Sequence, residues 1–482
     1  MEIAKKRSRD LNMLEGSLLG KILIFALPLM LTNLLQTFYN AADMMVAGLS
    51  AEENAVGAIG TTGSMINLVL NIFIGVSIGA NVVVARRIGA GQREGVSRAV
   101  HSALIVSVVL GFVGMATGLF ISRPALALMG AQNNLLELAV LYTRIYFFGL
   151  PFISLTNSLI SIFRAKGDTR TPLVILTSTG LLNVGLNLFF VLVVKLSVEG
   201  VAIATAAANA ASAALLLWRL SRDAGACRFS FRRLCFDGKA VREMLYVGIP
   251  ASIQGALFSI SNMMIQSSIL AVNNRMVPAG ETFQPIVKGN AASANLEGFA
   301  YTATNSIYQA SITFTSQNVG AGKYPRVWRV MGGCYLVTAI VAILFGGGML
   351  LFREPLLSLY GVSPAEAGSL AEMAYNTAYV RMLYMLSTYF LLAWMEIGSG
   401  VLRGLGKSMT STVVTLVGSC LFRIVWLATV FRAVGTLDSV YVSYPLSWGV
   451  TAAVHFICAV VILKRKLTRN EAHSSYSSYN IE

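Results

Sequence analysis

The sequence predicts an all-α membrane protein whose twelve transmembrane helices form two homologous six-helix bundles, related by an axis along the membrane normal. The first observation is composition: 55% of the 482 residues are hydrophobic and only 12% are charged, which excludes an ordinary soluble domain. The second is the distribution of charge. It is confined to short islands between twelve apolar runs of about 20 residues, the length that a helix needs to span a bilayer. The third is an internal repeat that relates the two halves.

Each apolar run is continuous, as expected of a helix rather than of the alternating strands of a membrane barrel. In chain order the predicted helices cover residues 20–47, 54–82, 97–121, 136–162, 172–194, 200–219, 241–271, 293–318, 329–351, 372–401, 410–432 and 443–464. We expect a cytoplasmic N-terminus, a first bundle, a basic cytoplasmic linker, a second bundle and a cytoplasmic tail. These parts are predicted to cover residues 1–19, 20–219, 220–240, 241–464 and 465–482. The tail is rich in Ser, Tyr and Asn, so we expect it to be disordered.

The basic residues predict the orientation of the chain. Most of the 37 Lys and Arg residues fall in the two termini and in every second loop. Cytoplasmic loops carry such an excess, so both termini are expected in the cytoplasm, with the chain a multi-pass protein of the bacterial cytoplasmic membrane. Because the charge follows the loops, the net charge of +15 indicates a lipid bilayer as partner and no nucleic acid.

Two short motifs recur in the same order in both halves. Residues 88–91 (Ile-Gly-Ala-Gly) reappear as residues 319–322 (Val-Gly-Ala-Gly), and residues 163–169 match residues 402–408. Each repeat has an even number of helices, so the second enters the membrane in the same orientation as the first. Secondary transporters use this arrangement. The sequence has no GxxxxGK[ST] phosphate loop, so active transport is expected to draw on an ion gradient, without a cofactor.

The first helix carries a polar stripe that ends in a carboxylate. Asn33, Gln36, Tyr39, Asn40 and Asp43 recur every three or four residues and therefore share one helix face. Polar stripes also hold transmembrane helices together, so the amides alone favour a structural role over a functional one. An ionised Asp inside the membrane costs roughly 2.5–3.5 kcal/mol, which favours a functional role for Asp43.

Further polar residues are expected at the same depth as Asp43. Asn183 and Asn187 lie one turn apart on the fifth helix, and Thr205 and Asn209 share a face of the sixth. At a rise of about 1.5 Å per residue, Asp43, the two fifth-helix amides and Thr205 fall in the outer half of the first bundle. A carboxylate, amide oxygens and a hydroxyl suit H⁺ or Na⁺, and we expect no other metal.

The second half offers its own polar and charged residues within apolar spans. Either carboxylate, Glu297 on the eighth helix or Glu396 on the tenth, is a candidate partner for Arg381 or Arg423, because an Arg inside the membrane needs a carboxylate or carbonyl groups. Salt bridging and a role in substrate binding both stay open for them. The residues predicted to line a substrate cavity, from both halves, are Gln36, Tyr39, Asn40, Asn209, Glu297, Tyr301, Asn305, Glu396 and Arg423.

Together these features resemble the multidrug and toxic compound extrusion (MATE) family of transporters, of the prokaryotic type. The resemblance lies in the Pro28-bearing first helix with residues 36–43 (Gln-Thr-Phe-Tyr-Asn-Ala-Ala-Asp), in residues 85–90 (Ala-Arg-Arg-Ile-Gly-Ala) and in residues 164–169 (Arg-Ala-Lys-Gly-Asp-Thr). It implies export of amphiphilic, often cationic small organic compounds in exchange for H⁺ or Na⁺. It also implies a cavity between the bundles that opens alternately to either side. We expect the protein to function as a monomer.

In family members with a cation site in the first bundle, the resemblance implies an Asp on the first helix, an Asn and an Asp on the fifth, and a Thr on the sixth. Asp43, Asn183 and Thr205 match these positions, but Asn187 replaces the second acid. A single carboxylate favours protons over Na⁺. Neutralising Asp43 would then bend the first helix near Pro28, a residue that is interpreted as a simple kink or as a moving hinge.

Two other classes of function were weighed against drug transport. A flippase for a lipid-linked precursor would favour a strongly cationic cavity, whereas the arginines within the spans here are few and are accompanied by acids. An enzyme would need a metal-ligand cluster or a nucleophile and base at membrane depth, and the sequence has no Gly-x-Ser-x-Gly motif and only three His. The prediction is an antiporter, with the flippase as alternative.

Overall fold

The computed structural model describes residues 10–49, 55–128, 133–278, 281 and 283–479, and every regular element in these ranges is helical. The first half contains α1 (Leu18–Ala47), α2 (Ala55–Gly89), α3 (Arg93–Leu128), α4 (Asn133–Phe148), α5 (Leu150–Lys166), α6 (Arg170–Leu188) with a π-helical end (Phe189–Val193), and α7 (Val198–Ser221). A linker with one 3₁₀ turn (Phe231–Arg233) follows.

The second half begins with the longest helix in the described chain. Its elements are α8 (Gly238–Met276), α9 (Pro285–Gly320), α10 (Tyr324–Leu351), α11 (Arg353–Ser358), α12 (Leu370–Ser387), α13 (Tyr389–Gly404), α14 (Ser408–Thr415), α15 (Phe422–Trp426), α16 (Arg432–Val434), α17 (Leu437–Tyr441) and α18 (Ser443–Tyr479). π-helical turns at Leu416–Leu421 and Leu427–Phe431 join α14 to α16 into one rod.

Length and hydropathy support the predicted fold class. Nine of the described helices are long and apolar enough to cross a membrane, and two bent pairs, α4 with α5 and α12 with α13, raise the number to eleven. The other long helix, α9, has 36 residues, and its many polar side chains lower its hydropathy. The prediction of an all-helical membrane protein is confirmed.

Two predicted helices are each broken into a bent pair. The run 136–162 bends by 50° at Gly149, where Pro151 follows and supplies no N–H to the preceding turn. The run 372–401 bends by 46° at Thr388, whose hydroxyl donates to the carbonyl of Tyr384 at 2.6 Å. No Pro or Gly lies at this bend, and a threonine that bonds to its own preceding turn is often found where a helix bends.

The last helix is longer than predicted. α18 runs to Tyr479, beyond the expected end at residue 464, and residues 480–482 lie outside the described ranges. No Gly or Pro follows Leu463 to stop the helix. The disorder expected of residues 465–482 stays a prediction.

The described chain packs as two compact units. The first comprises Met1–Gly16, Ile24–Ile253 and Ser316–Ala321, so it takes in the start of α8 and the end of α9. Close helix packing explains the inclusion of α8: a Cβ on Gly79 of α2 would lie 2.1 Å from the backbone oxygen of Met244. The second unit comprises Ser17–Leu23, Gln254–Thr315 and Gly322–Glu482.

Each unit has its own apolar interior. In the first unit, α2, α3, α5 and α7 bury side chains such as Val84, Val100 and Phe163 against one another. In the second, aromatic residues of α13, α17 and α18, including Tyr389 and Tyr441, pack with the methionines of α12. These interiors fix the helices that carry the polar residues described next.

Candidate functional site

The first helix presents its carboxylate close to its C-terminal end. α1 continues through Pro28, where the Thr32 hydroxyl donates to the Pro28 carbonyl at 2.7 Å. Asp43 follows four turns later and is half-buried. Because Pro28 removes a helix hydrogen bond without ending the helix, the segment that carries Asp43 is joined to the rest of α1 by a weakened turn.

The closest partner of Asp43 is Asn187 on α6. The Asn187 Nδ2 group donates to the carboxylate at 2.5 Å, and the whole Asn187 side chain is buried. Its Oδ1 atom has no hydrogen-bond partner among the described residues. An amide oriented in this way supports an ionised carboxylate.

Neighbouring residues of α6 and α7 extend this contact into a polar cluster. Asn187 Nδ2 also lies 3.4 Å from Asn183 Oδ1, and Asn183 Nδ2 lies 3.4 Å from the Thr205 hydroxyl. Thr205 is in turn within hydrogen-bonding reach of Asp43. The structure therefore brings the four predicted coupling residues together, which we call the Asp43 cluster (Asp43, Asn183, Asn187 and Thr205).

The surroundings of the Asp43 cluster are mostly phenols and amides. Tyr142 and Tyr146 of α4 are close enough to interact electrostatically with the carboxylate. Asn209 turns back onto its own helix and donates to the Thr205 carbonyl at 2.9 Å. Groups of three or more His, Cys, Asp or Glu that could hold a metal are absent from the residues that the structure describes. A Na⁺ ion here would depend on one carboxylate and neutral oxygens.

The remaining residues of the α1 stripe differ in their environments. Tyr39 donates to the Thr177 carbonyl at 3.2 Å, and its ring covers Gly180, where a Cβ would lie 1.9 Å away. Tyr39 therefore joins α1 to α6. Gln36 and Asn40 are exposed, as expected of side chains that face a cavity or lipid.

In the second unit, Glu297 of α9 forms a buried ion pair. Arg381 donates to the Glu297 carboxylate at 2.7 Å and to Asn290 Oδ1 at 2.7 Å, and Tyr441 donates to the same Asn290 oxygen at 3.2 Å. The side chains of Arg381 and Glu297 are 5% and 16% exposed. Of the two pairings left open by the sequence, the structure contains the one with Arg381.

Arg423 has a different kind of environment. It is 2% exposed and donates to the Ser447 hydroxyl at 2.9 Å. Its guanidinium lies 4.2 Å from the ring centroid of Tyr444, with Trp448 at 5.8 Å, so aromatic faces support its charge. This burial places Arg423 in the interior of the unit.

Glu396 of α13 is the second candidate acid of the second unit. It is half-buried and lies in electrostatic range of Arg403, and within the described ranges it forms no ion pair with Arg381 or Arg423. On α9, Asn305 donates to the Tyr301 hydroxyl at 3.2 Å, and both side chains are partly exposed. Of these three residues, Tyr301 is exposed, whereas Asn305 and Glu396 are half-buried.

Sequence reasoning missed Arg403 and Gln254. Arg403 is 4% exposed, contacts the Tyr308 hydroxyl and donates to Gln254 Oε1 at 2.9 Å. The sequence predicts a helix that ends at residue 401, which leaves Arg403 outside it, in the repeat that matches residues 163–169. The available signal was Tyr308, which continues the face of Tyr301 and Asn305 and needs a polar partner when buried.

Comparisons with known proteins agree with this architecture. The sequence model of the MatE family matches residues 28–189 and 250–429. The chain is 25% identical over 407 residues to the probable multidrug resistance protein YoeA of Bacillus subtilis, with 82% of each chain covered. It is 23% identical over 371 residues to the FAD transporter of Shewanella oneidensis, with 74% of this chain and 77% of that one covered.

A similar solved structure is that of a MOP superfamily transporter from Pyrococcus furiosus, with a TM-score of 0.85 and 19% identity. That likeness covers 96% of this chain and 99% of the other, and it shows the fold. The family match covers most of both halves of the chain and shows membership of the family. The chain belongs to the MatE family of multidrug and toxic compound extrusion transporters, multi-pass membrane proteins that move small molecules and are not enzymes.

Proposed function

We propose that this protein is an antiporter that exports amphiphilic or cationic small molecules in exchange for protons, with Asp43 as the coupling group. Both termini are proposed to lie in the cytoplasm of a bacterial cell, and one chain suffices for transport. The observation that carries the proposal is the hydrogen bond from Asn187 to Asp43 at 2.5 Å. The names of relatives such as YoeA support drug export.

The donor groups around Asp43 favour protons over Na⁺. A Na⁺ ion needs several oxygen ligands, but Asn187 directs its NH₂ group, not its oxygen, at the carboxylate. A proton needs only the carboxylate itself. When Asp43 is protonated, rotation of the Asn187 amide would let the carboxyl O–H donate to Oδ1, the atom that otherwise lacks a partner.

The proposed cycle uses these two hydrogen-bonding states. A proton that arrives from outside neutralises Asp43, which weakens its bonds to Asn187 and Thr205. The segment of α1 beyond Pro28 is then free to move, and the conformation with low affinity for the substrate becomes favoured. Substrate that binds from the cytoplasm favours the ionised state and returns the proton to the cytoplasm. Alternating access of the two bundles completes the exchange.

The experiment is gradient-driven efflux of a fluorescent cationic dye from proteoliposomes, with a pH gradient and a Na⁺ gradient imposed separately. The variant is Asp43→Asn, and the matched control is Glu137→Gln, an exposed acid whose side chain is 58% accessible. We expect the pH gradient alone to drive dye movement in wild type and in Glu137→Gln, and to drive none in Asp43→Asn. Equal pH-driven transport by Asp43→Asn would reject Asp43 as the coupling group.

The range of substrates needs a second arm in the same assay. The Shewanella relative is named an FAD transporter, so an anionic dinucleotide belongs in the test beside the dye. In the second unit, Arg381 is held by Glu297, and Arg423 by Ser447 and aromatic rings, which leaves little free cationic surface for a pyrophosphate. We therefore expect transport of the dye and none of FAD.

A further inference from the structure

A basic cavity lies where the loop between α7 and α8 meets the start of α3. Its volume is about 680 Å³, and four of its lining residues are arginines, namely Arg93, Arg98, Arg228 and Arg233. Glu94 is the single carboxylate among the described residues that line it, and it pairs loosely with Arg98 at 3.7 Å. The cavity therefore carries a clear excess of positive charge.

The loop that forms one wall of this cavity is held firmly against α3. The His101 ring has Nδ1 2.7 Å from the Ser97 carbonyl oxygen and Nε2 3.2 Å from both the backbone nitrogen and the carbonyl oxygen of Ser230. The ring also stacks on Phe229 at 5.5 Å. Ser102 accepts the backbone N–H of Asp237 at 2.8 Å. These contacts position the arginines of the loop before any ligand binds.

The same loop exposes large apolar side chains beside the basic cavity. Phe231, Leu234 and Phe236 are 75%, 45% and 64% exposed. Exposing such large apolar side chains to water is unfavourable in a soluble protein. Aromatic residues next to arginines are typical of a membrane interface. The loop joins two apolar helices long enough to span the bilayer, which places it close to one membrane surface.

We propose that this cavity binds the phosphate headgroup of an anionic phospholipid from the cytoplasmic leaflet. Guanidinium groups recognise phosphate oxygens through paired hydrogen bonds, and basic pockets beside transmembrane helices are suited to anionic headgroups. A soluble phosphate would use the same arginines. The exposed Phe231 and Phe236 favour the lipid, because acyl chains give these side chains an apolar environment. Cytoplasmic loops are generally rich in basic residues, but that excess alone would not bring four arginines together in one cavity.

The test measures lipid binding to the purified full-length protein by native mass spectrometry. The probes are phosphatidylglycerol, phosphatidylcholine and inorganic phosphate as a competitor. The cavity variant is R93Q/R98Q/R228Q/R233Q. The control K239Q/R242Q/K464Q/R465Q removes the same charge from exposed residues outside the cavity.

We expect wild type and the control to bind phosphatidylglycerol at least tenfold more tightly than phosphatidylcholine, and the cavity variant to lose that preference. Equal preference in the cavity variant would overturn the proposal. Displacement of phosphatidylglycerol by inorganic phosphate at a comparable concentration would overturn the lipid assignment and indicate a soluble phosphate ligand.

A second measurement uses wild type alone, so its result does not depend on whether the cavity variant folds. Cys235 lines the cavity, whereas Cys227 is buried, and burial raises the pKa of the Cys227 thiol to about 12. Cys227 is therefore an unreactive internal reference. We expect phosphatidylglycerol to slow maleimide labelling of Cys235, resolved by peptide mass spectrometry, at least fivefold relative to phosphatidylcholine. Unchanged labelling would contradict binding at this cavity.

Discussion

The amide of Asn187 donates to the carboxylate of Asp43 at 2.5 Å, which joins α6 to α1 through a side chain that is fully buried on the α6 side. Asp43 can gain or lose a proton, and it lies on α1, the helix that Pro28 weakens. The contact therefore links a titratable group of a weakened helix to α6. The contact also gives a reason for the amide at position 187, where the family resemblance implies an Asp in members with two acids. The Asn187 amide supplies a hydrogen-bond donor to Asp43 in place of a second negative charge.

The first prediction concerns Asn187→Asp. Two carboxylates beside the oxygens of Asn183 and Thr205 would provide the charge that Na⁺ requires. We expect the variant to bind ²²Na⁺ and to move dye under a Na⁺ gradient, while wild type does neither. If wild type already binds Na⁺ and the substitution adds nothing, the assignment of protons to this site is wrong.

The second prediction concerns the hydroxyl of Thr205, which reaches both Asn183 and Asp43. Thr205→Val keeps the shape and removes the hydroxyl, so pH-driven dye transport should fall about tenfold, as expected from losing a hydrogen bond to a charged group. Thr205→Ser is the matched control and should stay near the wild-type rate. Equal rates for the Val and Ser variants would remove Thr205 from the coupling site.

The third prediction concerns the ion pair between Arg381 and Glu297. Replacing either partner by Leu leaves the other buried without its counter-charge, which should cost about 3–5 kcal/mol in the free energy of unfolding in mixed micelles. The double replacement should recover most of this loss. The exposed pair of Arg123 and Glu137 is the control, expected at about 0–1 kcal/mol. Additive losses in the double variant would show that the two residues do not interact.

The fourth prediction uses two glycines of α2. Gly79→Ala would force a methyl group to 2.1 Å from the Met244 carbonyl, which belongs to the backbone of α8 and cannot swing away. Gly60→Ala meets nothing within 4 Å. We expect Gly79→Ala to lower the melting temperature in detergent by several degrees or more, and Gly60→Ala to leave it unchanged or slightly raised, because Ala favours the helix. Equal melting temperatures would contradict close packing of α2 on α8.

The sequence was sufficient for those features that depend on periodicity and composition. The apolar runs predicted the fold class, and the spacing of Asp43, Asn183, Asn187 and Thr205 predicted that they would share a depth. The bend at Thr388 was not predictable, because no Pro or Gly near this residue signals it.

The sequence also did not predict which side chains of different helices contact one another. Glu297 had two candidate arginines, and only the packing of α9 against α12 selects Arg381. The burial of Arg403 was not predictable, because it depends on contacts with Tyr308 and Gln254 from distant helices. In the sequence, Arg403 resembles an ordinary loop residue at the end of a helix. Such contacts are set by the arrangement of whole helices, which a pattern along one helix does not report.

The most direct test of the central claim is proton release on substrate binding. The purified protein is placed in weakly buffered detergent solution with a pH-sensitive dye, and a transported cationic substrate is added at saturating concentration. If substrate and proton compete through Asp43, then at a pH low enough to protonate Asp43 in the substrate-free protein, wild type should release close to one proton per bound substrate, and Asp43→Asn should bind substrate and release none. Release of the same number of protons by Asp43→Asn would contradict the proposed coupling.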